Sequence, residues 1–204
     1  MPRDKKLSHQ RVLEAAKKEF LEKGFEGASI RTIGSSARMT SAGLYRHCKD
    51  KEDLFNQIVE PVVLEMNKRF SEHKKISYDA IKIGEHYKEA FDTGEIKIFL
   101  DLSKEYQDEL KLLLCKSTGT RYENFINDLV DIQQKEMINV LNIMRQEGYK
   151  VAGITDKEMH VLLSAYITAI IEPVIHGYDE EETEHCLMKI AEFFTPGWMQ
   201  IMGL

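Results

Sequence analysis

Apolar residues recur at spacings of three and four along most of this 204-residue chain. The clearest run places five of them at successive intervals of four: Leu54, Ile58, Val62, Met66 and Phe70. This is the period of an amphipathic helix, whereas the two-residue alternation of a half-buried strand is almost absent. The sequence therefore predicts an all-α protein.

Helix start and stop signals divide this pattern. Ser8, Ser29, Thr40 and Asp50 are candidate N-caps in the first quarter of the chain, and Gly24 is a candidate helix stop. Farther on, Thr120 with Glu123 and Thr155 with Glu158 have the spacing of capping boxes. We therefore expect later helices near 76–92, 95–115, 120–147, 156–177 and 180–195.

The charge changes sign along the chain. Residues 1–50 carry eleven Lys and Arg against six Asp and Glu, whereas residues 51–204 carry seventeen against twenty-eight. A basic segment suits a polyanionic partner even when the net charge of the whole chain is −6. We predict a small basic domain over 1–50 and an acidic helical domain over 51–204.

Composition narrows the class of protein further. Hydrophobic residues make up 43% of the chain and charged residues 30%, as in water-soluble folded proteins. No uninterrupted apolar run has the length of a membrane span, and Met1 to Gln10 is polar, so we expect a cytoplasmic protein with no membrane partner. The three cysteines are far apart and are predicted to be reduced, structural thiols.

The segment 29–51 has the dimensions of a helix-turn-helix: a capped short helix, a tight turn and a second helix rich in small and basic residues. Short hydroxyls at a helix start can bind phosphates, and small side chains let a helix approach base edges. The predicted DNA contacts are Ser29, Arg31, Thr40, Ser41, Ala42, Tyr45, Arg46, His47, Lys49 and Lys51. Lysine opposes the dipole at a helix start, so a phosphate partner is our explanation for Lys49 and Lys51.

Residues 8–60 resemble the DNA-binding domain of the TetR family of bacterial repressors. The residues that match the family pattern in register are Phe20, Gly24, Ser29, Ile33, Ala37, Thr40, Leu44, Tyr45, His47, Lys51, Glu52 and Leu54. The resemblance implies a homodimer that binds a palindromic operator in double-stranded DNA and is released by a small-molecule effector. It implies no cofactor, and it does not identify the operator, the regulated genes or the effector.

Three residues depart from the family pattern: Gly34 replaces alanine, Arg38 replaces the turn glycine and Cys48 replaces phenylalanine. A left-handed conformation costs a residue other than glycine about 1 kcal/mol. Arg38 therefore either tolerates strain or marks a different turn.

The last two predicted helices also resemble those of the family, in which they form the dimer. Their apolar stripes comprise Met159, Leu163, Tyr166, Ile170, Val174, Leu187, Ile190 and Phe194. These stripes fit either a two-fold four-helix bundle or a core within one chain. The sequence leaves both open.

Other functions have weaker support. Aromatic and thioether residues of the body are candidates for an effector pocket, although most suit an ordinary core: Phe70, Tyr78, Tyr87, Phe91, Phe99, Tyr106, Phe125, Met137 and Met144. No catalytic signature is present, and only Glu172 and His176 have a spacing that suits a shared metal ion. The alternative to a regulator is a ligand-binding helical protein whose N-terminal domain contacts other proteins.

Overall fold

A computed structural model describes residues 5–83 and 94–204, and these are helical without a strand. The helices are α1 (Lys5–Gly27), α2 (Ile30–Ser36), α3 (Ser41–Leu44), α4 (Lys51–Ile83), α5 (Gly94–Glu105), α6 (Gln107–Cys115), α7 (Phe125–Gln146), α8 (Asp156–His176) and α9 (Glu180–Met202). The predicted all-α class is confirmed.

Several predicted caps are confirmed by their hydrogen bonds. The Gly43 N–H donates to Thr40 Oγ1 over 3.1 Å at the start of α3. Thr155 and Glu158 form a reciprocal capping box at the start of α8. The Asp53 N–H donates to Asp50 Oδ1 over 2.7 Å before α4. These side chains satisfy N–H groups that have no partner inside their own helix.

Two predicted caps are wrong. Ser8 lies inside α1 and is buried, because the helix already includes Lys5. Thr120 stabilises a turn instead of a helix start: its hydroxyl donates to the Ser117 carbonyl over 2.7 Å and accepts from the Tyr122 N–H. Helix α7 consequently begins at Phe125.

The later helices also differ from the predicted ranges. Residues 76–83 continue α4, and 84–92 lie outside the described residues, as do the pocket candidates Tyr87 and Phe91. The predicted helix 95–115 is broken at Tyr106, whose φ of −131° is not helical. Helix α9 passes through Pro196 and ends before Gly203, which adopts the left-handed conformation (φ 78°) that favours glycine.

The first compact unit contains the described residues up to Leu64 together with Tyr106–Glu123. We call it the head. Its core includes Phe20, Ile33, Leu44, Leu54, Phe55 and Leu112, none of which is measurably exposed. By contacts, the head therefore extends beyond the predicted domain 1–50 and includes helix α6.

The second compact unit, which we call the body, contains the described residues of Glu65–Glu105 and Asn124–Leu204. Among the predicted stripes, five residues are buried inside this single chain: Met159, Leu163, Ile170, Val174 and Leu187. Tyr166, Ile190 and Phe194 are half-buried. These stripes therefore form an intramolecular core.

A different set of apolar side chains on α8 and α9 is exposed: Val161, Leu162, Met188 and Phe193. Helix α8 is also long and apolar enough to span a membrane by length and composition. A core helix of a water-soluble protein passes the same test, and residues of α8 such as Met159 and Ile167 are buried in the core of the body.

Candidate nucleic-acid interface

Helices α2 and α3 are held together by two fully buried side chains, Ile33 and Leu44. The turn between them brings the Met39 N–H within 2.8 Å of the Gly34 carbonyl oxygen. A Cβ at Gly34 would lie 3.4 Å from the Met39 carbonyl oxygen, which is tight contact without a severe clash. Glycine at this departure from the family pattern therefore eases the close approach of the turn.

Arg38 is the one described residue other than glycine with a positive φ, at 57°. It lies in the α2–α3 turn, where its N–H donates to the Ser35 carbonyl over 3.0 Å. Arg38 therefore adopts the left-handed conformation and tolerates its strain, which is the first of the two explanations given above. The left-handed conformation costs about 1–2 kcal/mol, which the core beneath the turn must offset.

The second helix of the motif is shorter than predicted. The sequence pattern predicts this helix from Thr40 through His47, but helix α3 ends at Leu44. The chain then tightens, because the Arg46 N–H donates to the Gly43 carbonyl and the His47 N–H donates to the Leu44 carbonyl, each three residues back. These bonds give partners to the carbonyl groups at the end of the helix, and the chain then turns toward α4.

Eight of the ten predicted contact residues are exposed: Ser29, Arg31, Thr40, Ser41, Ala42, Tyr45, Arg46 and Lys49. His47 and Lys51 are half-buried. Leu44 and Cys48 are buried in the core of the head. Residues 40–42, before Leu44, and residues 45–46, between Leu44 and Cys48, are exposed. The result is a short helix with an apolar inner side and a hydroxyl-rich and basic outer side.

Lys51 has a structural role that the sequence did not indicate. Its Nζ donates to the carbonyl oxygens of Glu26 and Ala28, each over 3.2 Å, and lies 4.5 Å from the centroid of the Phe25 ring. These contacts bind the start of α4 to the end of α1. A phosphate is therefore not needed to explain this lysine, whereas Lys49 remains exposed.

Lysine substitutions are expected to separate these roles. Lys51→Ala removes the donor to two carbonyls and should lower the free energy of unfolding by about 1–2 kcal/mol. Lys49→Ala should leave stability within about 0.5 kcal/mol of the parent and weaken DNA binding. Urea unfolding and duplex titration of both variants measure the two effects. Equal stability of the two variants would contradict the structural role of Lys51.

The turn between α3 and α4 is held by residues on α4. The Lys49 N–H donates to Asp53 Oδ2 over 2.8 Å, and Gln57 Nε2 donates to the His47 carbonyl over 3.2 Å. The His47 ring stacks on His9 of α1, with 5.6 Å between centroids. These contacts fix the end of the motif, and His9 and Gln57 had no signal in the motif spacing.

Cys48 packs as a small apolar residue in the head. It is buried, and burial together with the charges of Asp53 and Asp50 raises the pKa of its thiol to about 11. The thiol therefore stays protonated and unreactive at neutral pH. Cys115 is exposed and Cys186 is half-buried, and no disulfide joins the cysteines of the described residues.

Helix α6 and the turn after it belong to the head, which sequence reasoning missed. Leu112 of this segment is buried in the core of the head. Glu109 Oε1 forms an ion pair with Lys17 Nζ of α1 over 2.6 Å. The Lys116 carbonyl accepts from the Phe25 N–H over 3.0 Å. Arg121 forms an ion pair with Glu60 of α4 over 2.7 Å. The scaffold of the motif is thus completed by residues far along the chain.

The candidate metal pair on α8 forms a contact of its own. His176 Nε2 lies 2.7 Å from Glu172 Oε2, and both side chains are exposed. Within 5–83 and 94–204, no three His, Cys, Asp or Glu residues form a group that could hold a metal ion.

Comparisons with known proteins agree with this geometry. A family model described as bacterial regulatory proteins of the tetR family matches residues 12–58. An HTH-type transcriptional regulator of Staphylococcus aureus is 26% identical over 146 residues, which cover 64% of this chain and 79% of the relative. The HTH-type transcriptional repressor AcnR of Corynebacterium efficiens is 32% identical over 66 residues, or 32% of this chain and 35% of AcnR.

A solved structure, that of AibR in complex with isovaleryl coenzyme A and operator DNA, superposes with a TM-score of 0.57 at 16% identity. The match covers 96% of this chain and 98% of AibR, so the fold is shared over nearly the full length.

The helix-turn-helix on a basic head and the all-α body define a DNA-binding transcriptional regulator. The match to the tetR family model covers the helix-turn-helix, and solved structures of TetR-family regulators share the fold of the chain.

Proposed function

We propose that the chain is a cytoplasmic, ligand-responsive repressor that binds a palindromic operator as a homodimer. The observation that carries this proposal is the outer side of α3 and the turn after it, where exposed hydroxyl and basic side chains stand on a tightly packed support. Each head inserts this segment into the major groove. Two-fold symmetry sets the two recognition segments about 34 Å apart, or a small multiple of it.

The ten predicted contact residues divide by chemistry. Thr40 and Ser41 at the start of α3, with Ser29 and Arg31 at the start of α2, bind phosphates. Ala42 allows close approach to base edges, which Tyr45 and Arg46 reach. Lys49 and His47, which follow α3 in the chain, bind the phosphate backbone of the DNA. Lys51 acts mainly through the carbonyls it already contacts.

The dimer is proposed to form on the exposed apolar side chains of α8 and α9. Val161 is 64% exposed and Phe193 is 78% exposed, and Leu162 and Met188 add to the same two helices. Contiguous exposed apolar patches mark interaction surfaces in water-soluble proteins, and these four side chains are the candidates for one here. A two-fold contact buries the same residues from both copies.

Effector control is proposed to act through a shift between dimer conformations. AibR, a neighbour in fold, has been solved with both isovaleryl coenzyme A and operator DNA. A ligand that prefers the conformation with poorly spaced heads must weaken DNA binding, and operator DNA must weaken ligand binding by the same factor.

The experiment is in vitro selection of the protein on randomised duplex DNA. The test variant carries Tyr45→Ala with Lys49→Ala, and the control carries Tyr178→Ala, which removes an exposed tyrosine of the body. Recovery of a palindrome by the parent and the control alone is expected. Enrichment of no sequence by the parent would contradict the proposal and favour a ligand-binding protein whose head contacts proteins. A weak dependence of duplex binding on salt would point the same way.

A further inference from the structure

An open groove of about 570 Å³ runs along the head between α1, α2 and the turn after α2. Its lining includes three basic and three acidic side chains: Arg11, Glu14, Lys18, Glu19, Glu22 and Arg38. None of the ten predicted DNA contacts, all of which are described, is among the residues that line it. The groove is therefore a surface separate from the proposed DNA contacts.

Four of the charged residues follow one another along α1 with alternating sign: Arg11, Glu14, Lys18 and Glu22. We call them the α1 stripe. All four are exposed, and their spacings of three and four place them on one side of the helix over a length of about 16 Å. A different side of α1 is buried in the core of the head through Val12, Ala16 and Phe20. The stripe is therefore held in a fixed position on the surface.

Three members of the α1 stripe have no partner inside the chain. The side chains of Arg11, Lys18 and Glu22 form no hydrogen bond and no ion pair within 5–83 and 94–204. Glu14 accepts a hydrogen bond from the Gln10 amide over 3.1 Å, which leaves its charge uncompensated. Water can solvate exposed charges of this kind, so their lack of a partner selects nothing by itself. The order of their signs does.

The mixed charge of the groove limits the partners that fit it. DNA would be repelled by the three carboxylates. A uniformly acidic or uniformly basic protein surface would meet as many like charges as opposite ones, and like charges placed together across an interface suppress binding. A fitting partner therefore carries both signs in a matching order.

The α1 stripe is complementary to itself when two copies lie antiparallel. Glu14 and Lys18 are each two positions from Ala16 along the helix, and Arg11 and Glu22 are five and six positions from it. A two-fold axis at the level of Ala16 therefore brings Arg11 opposite Glu22 and Glu14 opposite Lys18, and the symmetry repeats each pair. In a parallel pairing, every charge would face its own kind.

We propose that the α1 stripe is a contact between two copies of this chain, formed by antiparallel pairing of their α1 helices across a two-fold axis. The two heads of one dimer are about 34 Å apart on an operator, so this contact joins heads of neighbouring dimers. Exposed ion pairs are individually weak, and the contact is therefore populated most where DNA holds two dimers side by side. The consequence is cooperative filling of adjacent operators, and only this consequence rests on the operator binding proposed above.

The contact is tested without DNA by zero-length crosslinking. Full-length protein with and without a heavy-isotope label is mixed in equal amounts at low salt and treated with a carbodiimide, which couples a carboxylate to an amine in contact with it. Crosslinks between Glu14 and Lys18 that join a labelled peptide to an unlabelled one are expected. Their absence would overturn the proposal, because Glu14 and Lys18 of one chain give crosslinks within one isotope only.

Charge reversal elsewhere in the stripe then tests the pairing through the same crosslink. Arg11→Glu should lower its yield about tenfold or more, since Arg11 lies opposite Glu22, and adding Glu22→Arg should restore it. Lys23→Glu is the matched control, because it changes the net charge equally at an exposed position of α1 outside the stripe. Equal yields from Arg11→Glu and Lys23→Glu, or no restoration by the double variant, would contradict the antiparallel pairing.

Cooperativity is measured on duplexes that carry two copies of the selected operator, with their separation varied one base pair at a time. The second site should bind about tenfold tighter than the first at separations that place both dimers in contact. Lys18→Glu and Glu14→Lys should each remove this difference, although their charges shift binding to the first site in opposite directions. The double variant of both should restore it. Equal affinity of the two sites at every separation would contradict the cooperative role.

The contact and the proposed function fail separately. The crosslinking contains no DNA, so it reports on the α1 stripe even if selection recovers no operator. Loss of the crosslinks, in turn, leaves selection of a single operator unaffected.

Discussion

Phe193→Lys is expected to convert the proposed dimer into monomers and to weaken operator binding by about a hundredfold or more. Phe193 is 78% exposed in the single chain, so lysine costs the fold of the monomer little. In a two-fold contact, however, the substitution places two charges in an apolar interface. Each head then binds its half-site alone and loses the benefit of the linked second head.

Sedimentation velocity measures the assembly, and titration of the selected operator measures affinity. Ile132→Lys is the matched control, because Ile132 is also exposed (56%) but lies on α7. It should remain dimeric and bind as the parent does. A dimeric Phe193→Lys variant with unchanged affinity would place the interface elsewhere.

Phe55→Ala is expected to unfold the head selectively and to abolish DNA binding. The Phe55 ring is completely buried and packs edge-on against Phe20 and Phe25, with centroids 5.2 and 5.6 Å away. Truncation of a buried phenylalanine costs about 3–5 kcal/mol, a large part of the stability of a small unit.

Hydrogen exchange resolved by peptide measures this effect, because it reports the head and the body separately. Faster exchange is expected in α1 to α3 and in α6. Leu64→Ala, at an exposed position of the same helix as Phe55, should exchange like the parent. Uniform acceleration across both units would mean that the chain unfolds as one cooperative body.

Local features of the sequence predicted local features of the structure. The caps at Thr40 and Thr155 depend on residues three positions away, and both were correct. The sequence left Arg38 with two explanations, strain or a different turn, and its positive φ shows the first. Thr120 had the same spacing as a cap, but a competing hydrogen bond to Ser117 formed a turn.

Features that depend on distant residues were not predictable from spacing. The carbonyls that bind Lys51 are more than twenty positions away, and Leu112 joins the head from beyond the body segment Glu65–Glu105. Nothing in the periodicity distinguishes an apolar stripe that faces its own chain from one that faces a second copy.

The place of α6 in the head has a consequence for synthesis on the ribosome. The helix-turn-helix is translated early, but Leu112 and Arg121, which complete its core and brace α4, follow only after the first part of the body. At about 5–20 residues per second, the residues between Leu64 and Glu123 take roughly 3–12 s to appear. During that interval the nascent head has an open apolar flank. A newly made chain therefore becomes able to bind DNA only after more than half of its residues have left the ribosome.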